Sequence, residues 1–184
     1  MKNLTLWTLG LIATLSFFAG LPGPRATADP FGVGPPNAGW FADNANHSWC
    51  TYGSFVSTWY NPIRDSIYTL DVTTDMTRTY VSVCDSATDV QFHLSTSSSM
   101  GAGVLGIYNC LVTVTSANRC GAARIRLNTD LLDTFSRRMK TSCHEVGHSV
   151  GLTHTSAYGG CMVSGYSNNN TYSSHHVNHI NSKY

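Results

Sequence analysis

Three histidines and a glutamate are spaced as a metal site would need them: His144, Glu145, His148 and His154, in the segment HEVGHSVGLTH. Side chains at i and i+4 of a helix lie about 6 Å apart on one face, close enough to share one tetrahedral zinc ion. A third ligand on the next turn would crowd that pair. Gly151 can instead adopt a positive φ, end the helix and let Leu152 to His154 swing back with the third imidazole. Three protein ligands leave the fourth zinc position to a water, whose pKa the metal lowers to near 7. Glu145 is the only glutamate in the chain. It falls about 80° from the middle of the histidine pair, at the rim of the same face. A carboxylate there can take a proton from the zinc-activated water and deliver it to a leaving amine, so Glu145 is the expected general base of peptide hydrolysis. Tyr166 and Tyr158 are candidate hydroxyl donors to the oxyanion. A closed structural zinc site would use four protein ligands and favour cysteine. The same residues would also serve a zinc-scaffold binding or effector protein with negligible turnover, or a zinc amidase acting on a non-protein bond. Dependence on Glu145 separates the first of these from a peptidase, and substrate profiling separates the second.

The elements that must hold these residues follow from periodicity. Leu131 to Leu152 reads as a helix on which Phe135, Met139, Cys143, Val146 and Val150 fall within an arc of roughly 80°, with His144 and His148 on the far side. His47 to Ser54, Val90 to Ser95, Val104 to Thr115 and Ala123 to Leu127 are strand candidates. Asn61 to Val83 carries both signals: its Thr, Tyr and Val content favours strand, while Ile63, Ile67 and Leu70 recur at helical spacing. The Ser- and Gly-rich residues 95–103 read as a loop. Residues 29–46, rich in Gly, Pro and Asn, read as an irregular lead-in or a short pro-segment, followed by a single domain over residues 47–184.

Charge and compartment narrow the function further. With 11 Lys plus Arg against 10 Asp plus Glu in 184 residues, the chain has no basic stripe that could track phosphates, which argues against nucleic acid as a partner. Residues 1–28 read as a secretory signal: Lys2 opens it, Leu4 to Leu21 are mostly apolar, and Ala26-Thr27-Ala28 is a small-residue cleavage site. Thr8, Thr14 and Ser16 dilute the run and Pro22 and Pro24 end it, so the expectation is a secreted, extracellular protein with no membrane segment after cleavage. Six cysteines then become disulfide partners. Of their 15 connectivities, the geometrically favoured one pairs Cys143 with Cys161, Cys110 with Cys120 and Cys50 with Cys84. Closing the 143–161 loop contributes about 3 kcal/mol in the chain-entropy model. Asn46-His47-Ser48 and Asn169-Asn170-Thr171 fit the glycosylation sequon. His175, His176 and His179 read as the polar face of a terminal helix rather than a second metal site, and His47 and His93 as structural or exposed. Asp71, Asp75, Asp85 and Asp89 are candidate Ca2+ ligands of a secreted protein, although their spacing is not that of a Ca2+ loop. No coiled-coil or repeat pattern bears on the oligomeric state.

HEVGHSVGLTH resembles the HExxHxxGxxH signature of the metzincin zinc peptidases, in which a methionine turn lies beneath the metal. Met162 stands eight residues after His154, so HTSAYGGCM resembles that turn as it occurs in the matrixin branch. YSSHHVNHINSKY looks like the closing matrixin helix, with Val177, Ile180 and Tyr184 on its apolar face. The resemblance covers residues 123–184. It implies an α+β fold: a twisted, mainly mixed sheet, a long active-site helix and a small C-terminal subdomain ending in a helix. It further implies one catalytic Zn2+, a protein or peptide substrate, part of Asn61 to Val83 as a helix behind the sheet, and an edge strand at Ala123 to Asn128 that pairs with the substrate. Three departures stand out. His175 and His176 occupy the place of two matrixin aspartates, Val163 and Ser164 replace Tyr and Pro after the methionine, and no cysteine-switch prodomain is present. Secretion in active form, or inhibition by a separate protein, is the control these departures imply.

Overall fold

In the computed structural model, which describes residue 31, residues 40–114 and residues 118–184, the stretch with mixed signals divides in two. Helix α1 (Ser57–Thr73) takes the helical part, with Ile63, Ile67 and Leu70 fully buried along one face, and strand β3 (Thr77–Tyr80) takes the remainder. Pro62 lies inside α1 and has no N–H to offer the Thr58 carbonyl one turn earlier. The Arg138 guanidinium donates to that carbonyl instead at 3.0 Å, and stacks over Trp59 at 4.6 Å.

The remaining strands are β1 (Phe41–Ala42), β2 (Asn46–Thr51), β4 (Val90–Ser95), β5 (Gly106–Val114) and β6 (Arg119–Asn128). The sheet runs β1-β6-β4-β2-β3, with every neighbour on that path parallel, while β5 pairs antiparallel with β6. The result is a mixed α/β arrangement whose sheet is mostly parallel rather than evenly mixed; α1 is the crossover that the parallel order of β2 and β3 requires.

Two sequence expectations are corrected here. The lead-in is not irregular throughout, because Phe41 and Ala42 pair with Arg119 and Cys120 and β2 already begins at Asn46. Residues 29, 30 and 32–39, like residues 1–28 where a secretory signal is expected, lie outside the described residues. Nor is Ala123 to Asn128 an edge strand. Its two edges are filled, by β4 from Val90↔Ala123 to Ser95↔Asn128, and by β5 from Gly106↔Leu127 to Val114↔Arg119. Among the described residues, the strand at the edge on this side of the sheet is β5.

Residues 95–103 contain one short helix, α2 (Ser97–Met100). Helix α3 (Phe135–Ser149) starts four residues later than periodicity suggests, because the Thr134 hydroxyl accepts the Arg137 N–H and caps it. It packs on α1, β5 and β6. The apolar stripe on α3 is core only at its C-terminal end: Val146 and Val150 are fully buried, whereas Phe135 is 48% exposed. In helix α4 (Ser174–Asn181), Ile180 is buried and Val177 half-buried against the core; Tyr184, expected on the same helical face, lies beyond the helix end and is also half-buried against the core. The Tyr184 hydroxyl accepts the Ala42 N–H at 2.6 Å, tying the end of the chain to β1. Three disulfides, Cys50–Cys84, Cys110–Cys120 and Cys143–Cys161, account for all six cysteines. Such bridges suit an oxidising compartment. Among the described residues no helix is long and apolar enough to cross a membrane.

His47 on β2 joins the sheet to α3. The Ser149 hydroxyl donates to Val146 O, so His47 Nε2–H donates to Ser149 Oγ at 2.8 Å. Burial lowers the His47 pKa from 6.5 to about 4, with Asp43 opposing weakly. The folded state therefore disfavours the proton that the unfolded chain takes up at 6.5. Stability contributed by neutral His47 is complete above pH 6.5 and is lost as pH falls towards 4, at up to about 1.4 kcal/mol per pH unit. His47→Gln, which keeps a donor but cannot titrate, is expected to flatten the urea stability profile between pH 6.5 and 4. An unchanged slope would contradict this role.

Candidate metal centre

From Lys140 to Ser149 every residue of α3 is buried, so the histidine face is not a solvated face but one enclosed by other elements. The helix stops at Gly151, whose φ of 102° is the left-handed conformation that glycine adopts at least cost. Leu152 N–H then donates to Gly147 O at 2.9 Å and Gly151 N–H to His148 O at 3.3 Å, the two bonds of a Schellman ending. This reversal turns the Leu152 carbonyl back onto the helix, where it accepts the Nδ1–H of His148 at 2.8 Å. The Cys161 carbonyl does the same for His144, also at 2.8 Å. A carbonyl can only accept, so both rings carry their proton on Nδ1 and present a bare Nε2. His148 Nε2 and His154 Nε2 are 3.1 Å apart, and one ligand nitrogen from each of the three histidines lies within 4.8 Å of the others.

All three imidazoles are pushed towards the neutral form that binds metal. Burial is the main cause, taking His144 well below 6.5 and His148 to about 4 and lowering His154, and the Lys140 charge adds to each. The donor set suits a single metal ion: three neutral nitrogens, two of them oriented by backbone carbonyls, as zinc ligands commonly are.

Glu145 is buried on the wall of a cavity of about 380 Å³, bounded by residues 103–106, by Lys140, Thr141 and His144 on α3, by His154, and by residues 164–166. Its carboxylate lies against the start of β5. A Cβ at Gly106 would sit 2.5 Å from Glu145 Oε1, so only glycine lets the strand come this close. Burial raises the Glu145 pKa to about 8, opposed by the Lys140 charge and a hydrogen bond from the Tyr108 backbone. A carboxyl held this way is suited to exchanging protons near neutral pH.

Met162 is fully buried and packs against Gly147, between the two helical histidines; a Cβ at position 147 would collide with its sulfur. The Cys143–Cys161 bridge, with Cα atoms 6.0 Å apart, ties α3 to the segment carrying Met162. Tyr172 OH adds a bond to Cys143 O at 2.9 Å.

The other candidate residues are dispersed. The Tyr166 ring lines the cavity, but its hydroxyl bonds Leu131 O at 3.3 Å and the Arg137 guanidinium covers the ring. Tyr158 stacks on His175 at 3.6 Å between ring centroids and does not line the cavity. His175 and His179 pack together at 4.3 Å between centroids, and His176 Nδ1 bonds Ser173 Oγ. Asp71 takes Arg78, Asp85 bonds within its own turn, Asp89 accepts from Ser48, and Asp75 sits against Asn181. These aspartates are therefore not gathered as Ca2+ ligands; among the described residues the histidine trio is the group able to hold a metal.

Lys140 is the site residue that sequence reasoning missed. The helical wheel places it on the rim opposite Glu145, about 60° from the middle of the histidine pair. A lysine there reads as a solvated end of the helix face, yet Lys140 is 3% exposed.

No family model matches the chain, and no curated protein matches it by sequence. Among solved structures, that of myroilysin is similar over 71% of this chain and 53% of its own, at 15% identity and a TM-score of 0.42. This chain thus spans about half the length of that protein.

Gly147→Ala should lower stability by about 1–3 kcal/mol, because overpacking against the buried Met162 sulfur outweighs the better helix propensity of alanine. In a Met162→Ala background the same change should cost nothing. Urea unfolding of the four proteins checks this, and equal costs in both backgrounds would show that the contact does not constrain the helix.

Proposed function

We propose that the chain is a secreted zinc-dependent endopeptidase of metzincin type, closest to the matrixin branch. The observation that carries this reading is the convergence of three neutral imidazole nitrogens beside a buried carboxyl on the wall of a cavity. His144, His148 and His154 would hold the ion through Nε2. When bound, zinc supplies a Lewis acid for a carbonyl oxygen and lowers the pKa of water.

The chain's own residues do the rest. Glu145 accepts a proton from the attacking water and returns it to the departing amine, a transfer that favours a carboxyl poised near neutral pH. Gly106 and the Tyr108 backbone keep that carboxyl against β5. Cys161 O and Leu152 O fix the ring tautomers. The edge of β5 away from β6, which no other described strand pairs with, leads from this cavity, and an extended peptide can add to it as a strand. Met162 supports the helix from within, and the signal at residues 1–28 accounts for export.

Hydrolysis of a quenched mixed-peptide library by the purified, disulfide-intact protein tests the reading. Activity should vanish with a zinc chelator and return with zinc. Glu145→Gln should retain zinc while losing about 10²–10⁴-fold in rate. A zinc-loaded, folded protein that cuts no peptide, or that is indifferent to Glu145→Gln, would refute it.

A further inference from the structure

Lys140, 3% exposed, lines the cavity one helical turn before His144. Its ammonium donates to Val163 O at 2.5 Å and to Gly165 O at 2.8 Å. An ammonium has three N–H donors, so one is left over. Among the described residues the ion pairs join Arg64 to Asp65, Arg78 to Asp71 and Arg137 to Asp133, and no carboxylate pairs with Lys140. Glu145 acts on it only at longer range, and burial is the stronger influence on its charge. A buried cation held by carbonyl dipoles alone is poorly compensated, and a negative group delivered into the cavity would complete it. The surrounding wall is suited to one side chain: Val104 and Leu105 offer apolar contact, and about 380 Å³ is at the small end of ligand pockets.

We propose that Lys140 makes this cavity a subsite for a carboxylate on the substrate, so that the enzyme prefers peptides placing an acidic group beside the bond it cuts. The inference rests on the peptidase reading above and specifies its substrate class. The carboxylate can belong to a Glu or Asp side chain or to a peptide C-terminus. Either would accept the third N–H of Lys140 in a charge-assisted hydrogen bond, with Val104 and Leu105 packing along the methylenes that carry it.

The test uses matched peptides differing only in Glu against Gln at each position around the cleaved bond, with free or amidated C-termini. At one position the wild-type protein should cleave the Glu peptide about tenfold or more faster than its Gln twin. Lys140→Met should abolish that ratio and Lys140→Arg should retain it, with thermal melting verifying that both variants fold. A Glu-over-Gln ratio that survives amidation assigns the carboxylate to a side chain; a free-over-amidated ratio of the same size, with Glu and Gln peptides cleaved alike, assigns it to the chain terminus. Cleavage by the wild type that is indifferent both to Glu against Gln and to a free against an amidated C-terminus, or a ratio that persists in folded Lys140→Met, overturns the subsite and leaves the peptidase reading intact. Calorimetric binding of the same peptides to zinc-loaded Glu145→Gln separates the two claims. A Glu-over-Gln preference in binding without any cleavage by wild type would overturn the peptidase reading and keep the carboxylate subsite. Neither binding nor cleavage would overturn both.

Discussion

The reversal of the chain at Gly151 is the constraint from which the rest of the centre follows. With φ at 102°, the helix ends within one residue and the following segment runs back along it. That single turn places Leu152 O on the Nδ1 of His148 and brings His154 Nε2 to within 3.1 Å of His148 Nε2. Farther along, the same segment delivers Cys161, whose carbonyl holds His144 and whose sulfur is bonded to Cys143, and then Met162 under Gly147. A side chain at 151 would be strained by its backbone and would also meet Phe31 and Phe41. Helix, turn and return segment are therefore one unit, closed by a covalent bridge.

The sheet contributes the opposite wall. Because β6 is occupied on both edges, β5 is left as the strand beside the cavity, and its first residue is a glycine that admits the Glu145 carboxyl. The energetic conflict at the centre is burial of polar groups. Glu145, Lys140 and two of the three histidines lie in a low-dielectric interior that favours their neutral forms. Such conflicts cost stability and are kept where chemistry needs them. The disulfides, the Arg138 bond that replaces the missing proline donor, and the Tyr184 tie to β1 stabilise the frame around them.

Local information located the histidine trio that could hold a metal, because i,i+4 spacing and a glycine stop are properties of neighbouring residues. It also located β4 at its boundaries, and α1 was half-visible in Ile63, Ile67 and Leu70. What was illegible was non-local. Strand β1 is two residues long and exists through pairing with Arg119 and Cys120, far along the chain. The mistaken edge at Ala123 to Asn128, carried over from the resemblance, could not be checked locally either, since a strand's pattern of side chains says nothing of how many partners its backbone has. Lys140 was passed over because charge on a helix rim ordinarily means solvent, and only the carbonyls of Val163 and Gly165, supplied by a distant loop, allow it to be buried.

The central claim is that His144, His148 and His154 bind one ion through Nε2 with no sulfur ligand. Zinc K-edge X-ray absorption of the purified protein tests it most directly. The account predicts one zinc per chain with three imidazole nitrogens at about 2.0–2.1 Å and one further light donor. A zinc–sulfur shell at about 2.3 Å, or failure to retain stoichiometric zinc in the folded, disulfide-intact protein, would contradict it.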